Sequence, residues 1–151
     1  MIVCFDTSAL LKLYLEESGS DRIRQVISGA DICLAHILTY VEMRAAFAWA
    51  GRMQRISEGD LENLVTSFDR DWAAFERMGI DEGLVRQAGQ LADRFGLRGY
   101  DSVHLAAARR AWEVVAQPGY FAFATFDIRQ ASAARELGIS VLDECPSLRT
   151  P

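Results

Sequence analysis

IVCFDTSAL, residues Ile2 to Leu10, is the stretch around which the rest of the chain can be laid out. Its first four residues are apolar without alternation, as in a strand buried on both faces of a sheet. Asp6 follows at once, Thr7 and Ser8 supply hydroxyls, and Ala9 to Leu15 reads as an apolar helix. Strand, acid, hydroxyls and helix in that order put Asp6 at the carboxyl end of a central strand. Open α/β sheets bind ligands outside that edge.

Outward from this unit, strand and helix patterns alternate. Ser18 or Ser20 caps a short helix through Ile27, and Asp31 to His36 is a strand. Thr39 is the expected N-cap of the next helix, with Tyr40, Met43, Phe47 and Ala50 at helical spacing. Ser57 and Asp60 open another, whose stripe is Leu61, Leu64, Val65, Phe68 and Trp72. Only a few residues separate these two helices, so they are expected to form an antiparallel hairpin. A short strand is placed within Phe75 to Ile80, and Asp81 opens a helix that Gly96 closes. Leu97 to Tyr100 reads as a tight loop. It leads into an Ala-rich helix, Asp101 to Ala116, stopped by Pro118 and Gly119. Tyr120 to Thr125 is a buried strand, Asp127 to Gly138 a helix, and Ile139 to Asp143 the last strand. The alternation predicts an α/β fold: a three-layer α/β/α sandwich around a mainly parallel sheet of about five strands, with right-handed crossovers. Residues 1–145 are expected to form a single domain, and 146–151 a loose tail.

The composition fits this picture. With 151 residues, half of them hydrophobic, the chain can bury one core. No apolar run approaches the ~20 residues of a membrane helix. The first apolar run has no basic segment before it and does not read as a signal peptide. Cys4, Cys33 and Cys145 are too scattered for a disulfide framework or a zinc site, which points to reduced thiols and a cytoplasmic location. The net charge of −5 argues against gripping nucleic acid by bulk electrostatics. Of sixteen basic residues only Lys12 is a lysine; the rest are arginines, the better bidentate partners for phosphate, although genome composition explains that bias equally well.

Four acids fall at equivalent places. Asp6 and Asp127 follow strands, Glu42 lies in the first turn of the helix after the second strand, and Asp101 begins the Ala-rich helix. In a parallel sheet these positions share one rim. A helix N-terminus favours a negative charge by only ~0.3–1 kcal/mol. Two like charges 4 Å apart repel by about 4 kcal/mol at an effective dielectric near 20. Four ionised carboxylates there therefore need protons or a cation, and an oxygen-only set suits Mg²⁺ or Mn²⁺. Simpler readings stand beside this one. Thr39 with Glu42, and Asp127 with Gln130, have capping-box spacing, and Asp101 fits an N-cap. Asp6 has no equally simple structural task. Ser8 and Thr125 are placed to orient carboxylates, or are ordinary strand-end hydroxyls. His104, three residues after Asp101, is an acid–base candidate or a buried structural histidine, and His36 reads as structural. Arg98, Arg109, Arg110 and Arg129 lie near the rim in sequence. Each can meet phosphate or simply pair with a surface acid. Trp49 and Trp72 are expected between helices or at a subunit contact.

IVCFDTSALLKLYLEE, TYVEMRAAF, LRGYDSVHLAAA and ATFD, in that order, resemble the motifs of PIN-domain ribonucleases, above all the VapC toxins of bacterial toxin–antitoxin pairs. The resemblance covers essentially the whole chain. It implies a three-layer sandwich and an acidic quartet at Asp6, Glu42, Asp101 and Asp127, with Ser8 and Thr125 beside it. It further implies metal-dependent hydrolysis of RNA, with tRNA or ribosomal RNA as targets. A homodimer and an antitoxin whose tail covers the acidic groove belong to the same expectation. A haloacid dehalogenase-type phosphatase would need an acid where Ser8 stands. A response-regulator receiver would need a late lysine, and the chain has only Lys12. The rival from another class is a non-catalytic PIN-like module that binds RNA or a protein.

Overall fold

Ile2–Phe5 forms β1, and it sits in the middle of the sheet because both of its edges are paired. It runs parallel to β2 (Ile32–His36) on one side and to β4 (Phe121–Ala124) on the other. The computed structural model describes residues 1–115, 117 and 119–142. The remaining strands, β3 (Glu76–Met78) and β5 (Val141–Leu142), complete an all-parallel sheet of order β3-β2-β1-β4-β5. The helices are α1 (Thr7–Leu11), α2 (Ser20–Gly29), α3 (Thr39–Arg52), α4 (Glu58–Trp72), α5 (Glu82–Phe95), α6 (Gly99–Val115) and α7 (Ile128–Glu136).

Period-two alternation along β1 separates two cores. Val3 and Phe5 point into one with Leu10, Ile23, Met43, Phe47 and Phe68, under α1 to α4. Cys4 points into the other with Leu84, Leu91, Leu105 and Phe123, under α5 to α7. Each large side chain so buried contributes about 1.5–3 kcal/mol. The expected three-layer sandwich is what these cores define. Tyr40 stacks on Phe68, Phe47 meets Phe68 edge-on and Leu61 lies against Gly51, so α3 and α4 run antiparallel. Trp72 packs between Phe68 and Phe75 as expected, whereas Trp49 is exposed.

Several boundaries differ from the sequence reading, for local reasons. The first helix starts at Thr7, because Asp6 caps it by accepting from the Ala9 amide, and it stops at Leu11 rather than Leu15. The loop expected over Leu97 to Tyr100 is shorter: α6 already begins at Gly99, so Asp101 lies inside the first turn and is not an N-cap. α5 ends at Gly96, whose φ of 63° is the left-handed conformation glycine tolerates. The expected helix end at Ala116 and Pro118, Asp143, Cys145 and the tail lie outside the described residues. No helix among the described residues is long and apolar enough to cross a membrane.

The order β3-β2-β1-β4-β5 also locates the working edge. The chain leaves β1 toward β2 on one side and leaves β4 toward β5 on the other. The crevice at the carboxyl ends of β1 and β4 is therefore the topological switch point.

Candidate active site

Asp6 occupies that crevice. It is 2% exposed, and its carboxylate is almost fully engaged. The Ala9 amide donates to Oδ1 at 2.9 Å, the Thr125 hydroxyl to Oδ2 at 2.8 Å, and the Ser8 hydroxyl lies 2.8 and 2.9 Å from the two oxygens. Ser8 and Thr125 are fixed in turn, accepting from the amides of Phe126 (2.8 Å) and Asp127 (3.1 Å). The loop after β1 and the loop after β4 are thus stitched together through this carboxylate. Asp6 therefore does have a structural task, the cap of α1, alongside any chemical one.

Asp101 stands opposite. The Gln130 side-chain amide, 2% exposed, lies with Nε2 3.3 Å from Asp6 Oδ2 and 3.3 Å from Asp101 Oδ1. Two oxygens sharing one nitrogen can be no farther apart than twice that distance. Asp6 and Asp101 therefore face the same pocket. Asp127 accepts from the Gln130 amide at 2.8 Å and caps α7, as the capping reading has it, but Gln130 does not complete the box. The Asp127 charge is close enough to raise the pKa of Asp101.

Glu42 does not cap α3. The cap position is Leu38, and the Thr39 hydroxyl is buried without a hydrogen-bond partner among the described residues. The Glu42 carboxylate instead accepts from the Thr7 hydroxyl and faces His104 Nε2, each at 2.5 Å. His104 is 3% exposed and meets His36 edge-on, ring centroids 6.0 Å apart. Arg109 and Arg110 are not at the rim. They sit roughly two turns along α6 from Asp101 and pair with Glu113 and Asp81. Arg98 and Arg129 remain there, both exposed, and Arg98 eases the charge on Asp101.

The electrostatics follow from this crowding. Burial raises the Asp6 pKa, although His104, the Ala9 amide, Thr125 and Ser8 all oppose the rise. Burial and then Asp127 raise that of Asp101. For Glu42 burial also works upward, but the His104 hydrogen bond and charge, with Thr7, outweigh it and hold the group low. His104 is the mirror case: burial pushes down, and Glu42, Asp6 and Asp101 push further up. Burial, then His104, lowers His36 to about 4. The unfolded chain thus binds more protons than the native one between about 4 and 6.5. The His36 contribution to stability is complete above that window and falls as pH drops through it, by roughly 3 kcal/mol. His36→Gln, which keeps an acceptor for the Leu38 amide, is expected to flatten this acid loss. Thermal melts at pH 7 and pH 4.5 read it. An unchanged acid slope would contradict the assignment.

The PIN domain family model matches residues 3–136. That span takes in β1 through α7, and with them all four acids. This chain belongs to the PIN-domain family. Ribonuclease VapC45 of Mycobacterium tuberculosis (strain CDC 1551 / Oshkosh) is 35% identical over 140 residues, covering 93% of this chain and 94% of the relative. This places the PIN domain among the VapC-type ribonucleases. FitAcB from Neisseria gonorrhoeae superposes with a TM-score of 0.68 at 16% identity, over 94% of this chain and 96% of that one. A toxin–antitoxin complex from Klebsiella pneumoniae gives 0.61 at 15% identity, over 86% and 90%.

This PIN domain offers oxygen donors to a cation. Among the described residues no three His, Cys, Asp or Glu side chains form a ready cage. Mg²⁺-like ions are commonly held without one, by one or two carboxylates together with waters and substrate phosphate. Asp6 and Asp101 share one amide nitrogen, so both carboxylates face one pocket. The donor set fits a hard divalent cation. The sequence signals Thr7 only as a hydroxyl beside Asp6 and Gln130 only as a capping partner of Asp127; neither reading connects Thr7 to Glu42 or Gln130 to the two acids.

Proposed function

We propose that this PIN domain is a divalent-metal-dependent endoribonuclease, the toxin of a type II toxin–antitoxin pair. The carrying observation is the approach of Asp6 and Asp101 to a single Gln130 nitrogen, at the switch point of a parallel sheet. Asp6 and Asp101 are the principal ligands of Mg²⁺ or Mn²⁺, with Glu42 and Asp127 completing the acidic quartet. Ser8 and Thr125 hold Asp6 in place. When bound there, the cation would supply an activated water and compensate the charge of the scissile phosphate. The chain's own groups do the rest. Glu42 and His104 form a hydrogen-bonded pair at the pocket that can hold or pass a proton, and exposed Arg98 and Arg129 meet the RNA backbone. With a net charge of −5, the grip is local rather than spread over the surface, which suits a structured target such as tRNA or ribosomal RNA. The cytoplasm, where such RNA is found, is the site of action.

A cognate antitoxin is the expected partner, covering the acidic pocket. A homodimer is supported by exposed apolar side chains on and beside α3: Val41 and Trp49 on the helix and Ile37 and Met53 at its ends are 54%, 52%, 46% and 57% exposed. Trp49→Glu is expected to convert the dimer to monomer in sedimentation velocity; an unaltered dimer would rule out this face. The activity itself is tested by incubating the purified chain, free of antitoxin, with host RNA and Mg²⁺ or Mn²⁺. Binding without cleavage would favour a non-catalytic PIN module.

A further inference from the structure

We infer that Gln130 is a positioning residue of the metal site: its Nε2 sets the separation of Asp6 and Asp101. The inference rests on the metal-dependent reading above. Three observations carry it. The carboxamide is 2% exposed, yet it is not used for the helix cap that its spacing from Asp127 would serve. Its Nε2 lies at 3.3 Å from an oxygen of each of two acids that come from different segments of the chain. Its Oε1 is buried with no hydrogen-bond partner among the described residues.

The orientation of the amide is fixed by chemistry. Turned around, Oε1 would face two carboxylate acceptors and no donor, so the amino group must point toward the acids. That leaves the carbonyl as an unsatisfied buried acceptor, a condition native proteins keep only for a reason. A leucine or methionine would fill the same volume without that penalty. The carboxamide is kept at this buried position for its amino group, which braces the two acids. Groups that orient metal-binding carboxylates in this way typically affect metal affinity by about 10–100-fold.

Two variants test this by calorimetric Mn²⁺ titration and by melting in EDTA and in Mn²⁺. Gln130→Met removes both polar atoms and is expected to raise the Mn²⁺ dissociation constant about 10–100-fold and shrink the Mn²⁺-induced rise in melting temperature. Gln130→Glu keeps the shape but turns an oxygen toward the acids. It is expected to melt lower than wild type in EDTA and to gain more from Mn²⁺. A residue that only packs would shift both melts equally and leave the dissociation constant unchanged; that result, in either variant, overturns the inference alone. Wild-type protein that shows neither binding heat nor a melting shift with Mn²⁺ overturns the metal reading and this inference together.

Discussion

Asp6→Asn is expected to abolish RNA cleavage, by about 10³-fold or more, while leaving the chain folded. The size follows from losing a cation's stabilisation of the phosphate charge, several kcal/mol, at about 1.4 kcal/mol per factor of ten. The fold survives because the asparagine carbonyl can still accept from the Ala9 amide and from Ser8 or Thr125. The variant also has a stability signature. Asp6 has a folded pKa above its ordinary value, chiefly from burial, so the native state binds more protons than the unfolded chain above about pH 4. Its contribution therefore turns unfavourable as pH rises through the folded pKa. Removing the charge is expected to leave the metal-free melting temperature at pH 7 equal to or above that of wild type. Cleavage of a fluorogenic RNA and a melt in EDTA read both effects. Retained cleavage would dismiss Asp6 from the chemistry.

Saturating Mg²⁺ or Mn²⁺ should raise the melting temperature of the wild-type chain by about 5–10 °C. A ligand bound only by the native state at a hundred times its dissociation constant adds about 2.7 kcal/mol, and each kcal/mol moves a domain of this size by about 2–4 °C. Asp101→Asn should erase most of the rise, because it removes one of the two carboxylates that face each other across Gln130. The rise should also shrink on acidification, since the ligands must be deprotonated to bind. Superimposable curves with and without the ions would remove the metal from this account.

Much of this arrangement is legible in the sequence because it is set by local chemistry. Ile2 to Phe5 reads as a buried strand since both faces are apolar, and Val3, Cys4 and Phe5 are buried. Gly96 and Asp81 mark the ends of α5 through backbone conformation and capping. Asp6 and Asp127 are visible because they follow strands. What is not legible is decided by distant parts of the chain. Thr39 and Glu42 have the spacing of a capping box, yet Glu42 turns to Thr7 and His104. Arg110 lies near the rim in sequence but is drawn to Asp81, the N-cap of α5. Gln130 is the clearest case, because its partners lie 124 and 29 residues away.

Asp6 takes its hydrogen bond from Thr125 across 119 residues of chain. On a ribosome adding about 5–20 residues per second, several seconds must pass after Asp6 is made before its partner exists. The nascent polypeptide cannot complete this pocket in that time, since the strand before Asp6 waits for one made more than a hundred residues later. A pocket with Asp6 held in place therefore exists only after β4 and Thr125 have been made.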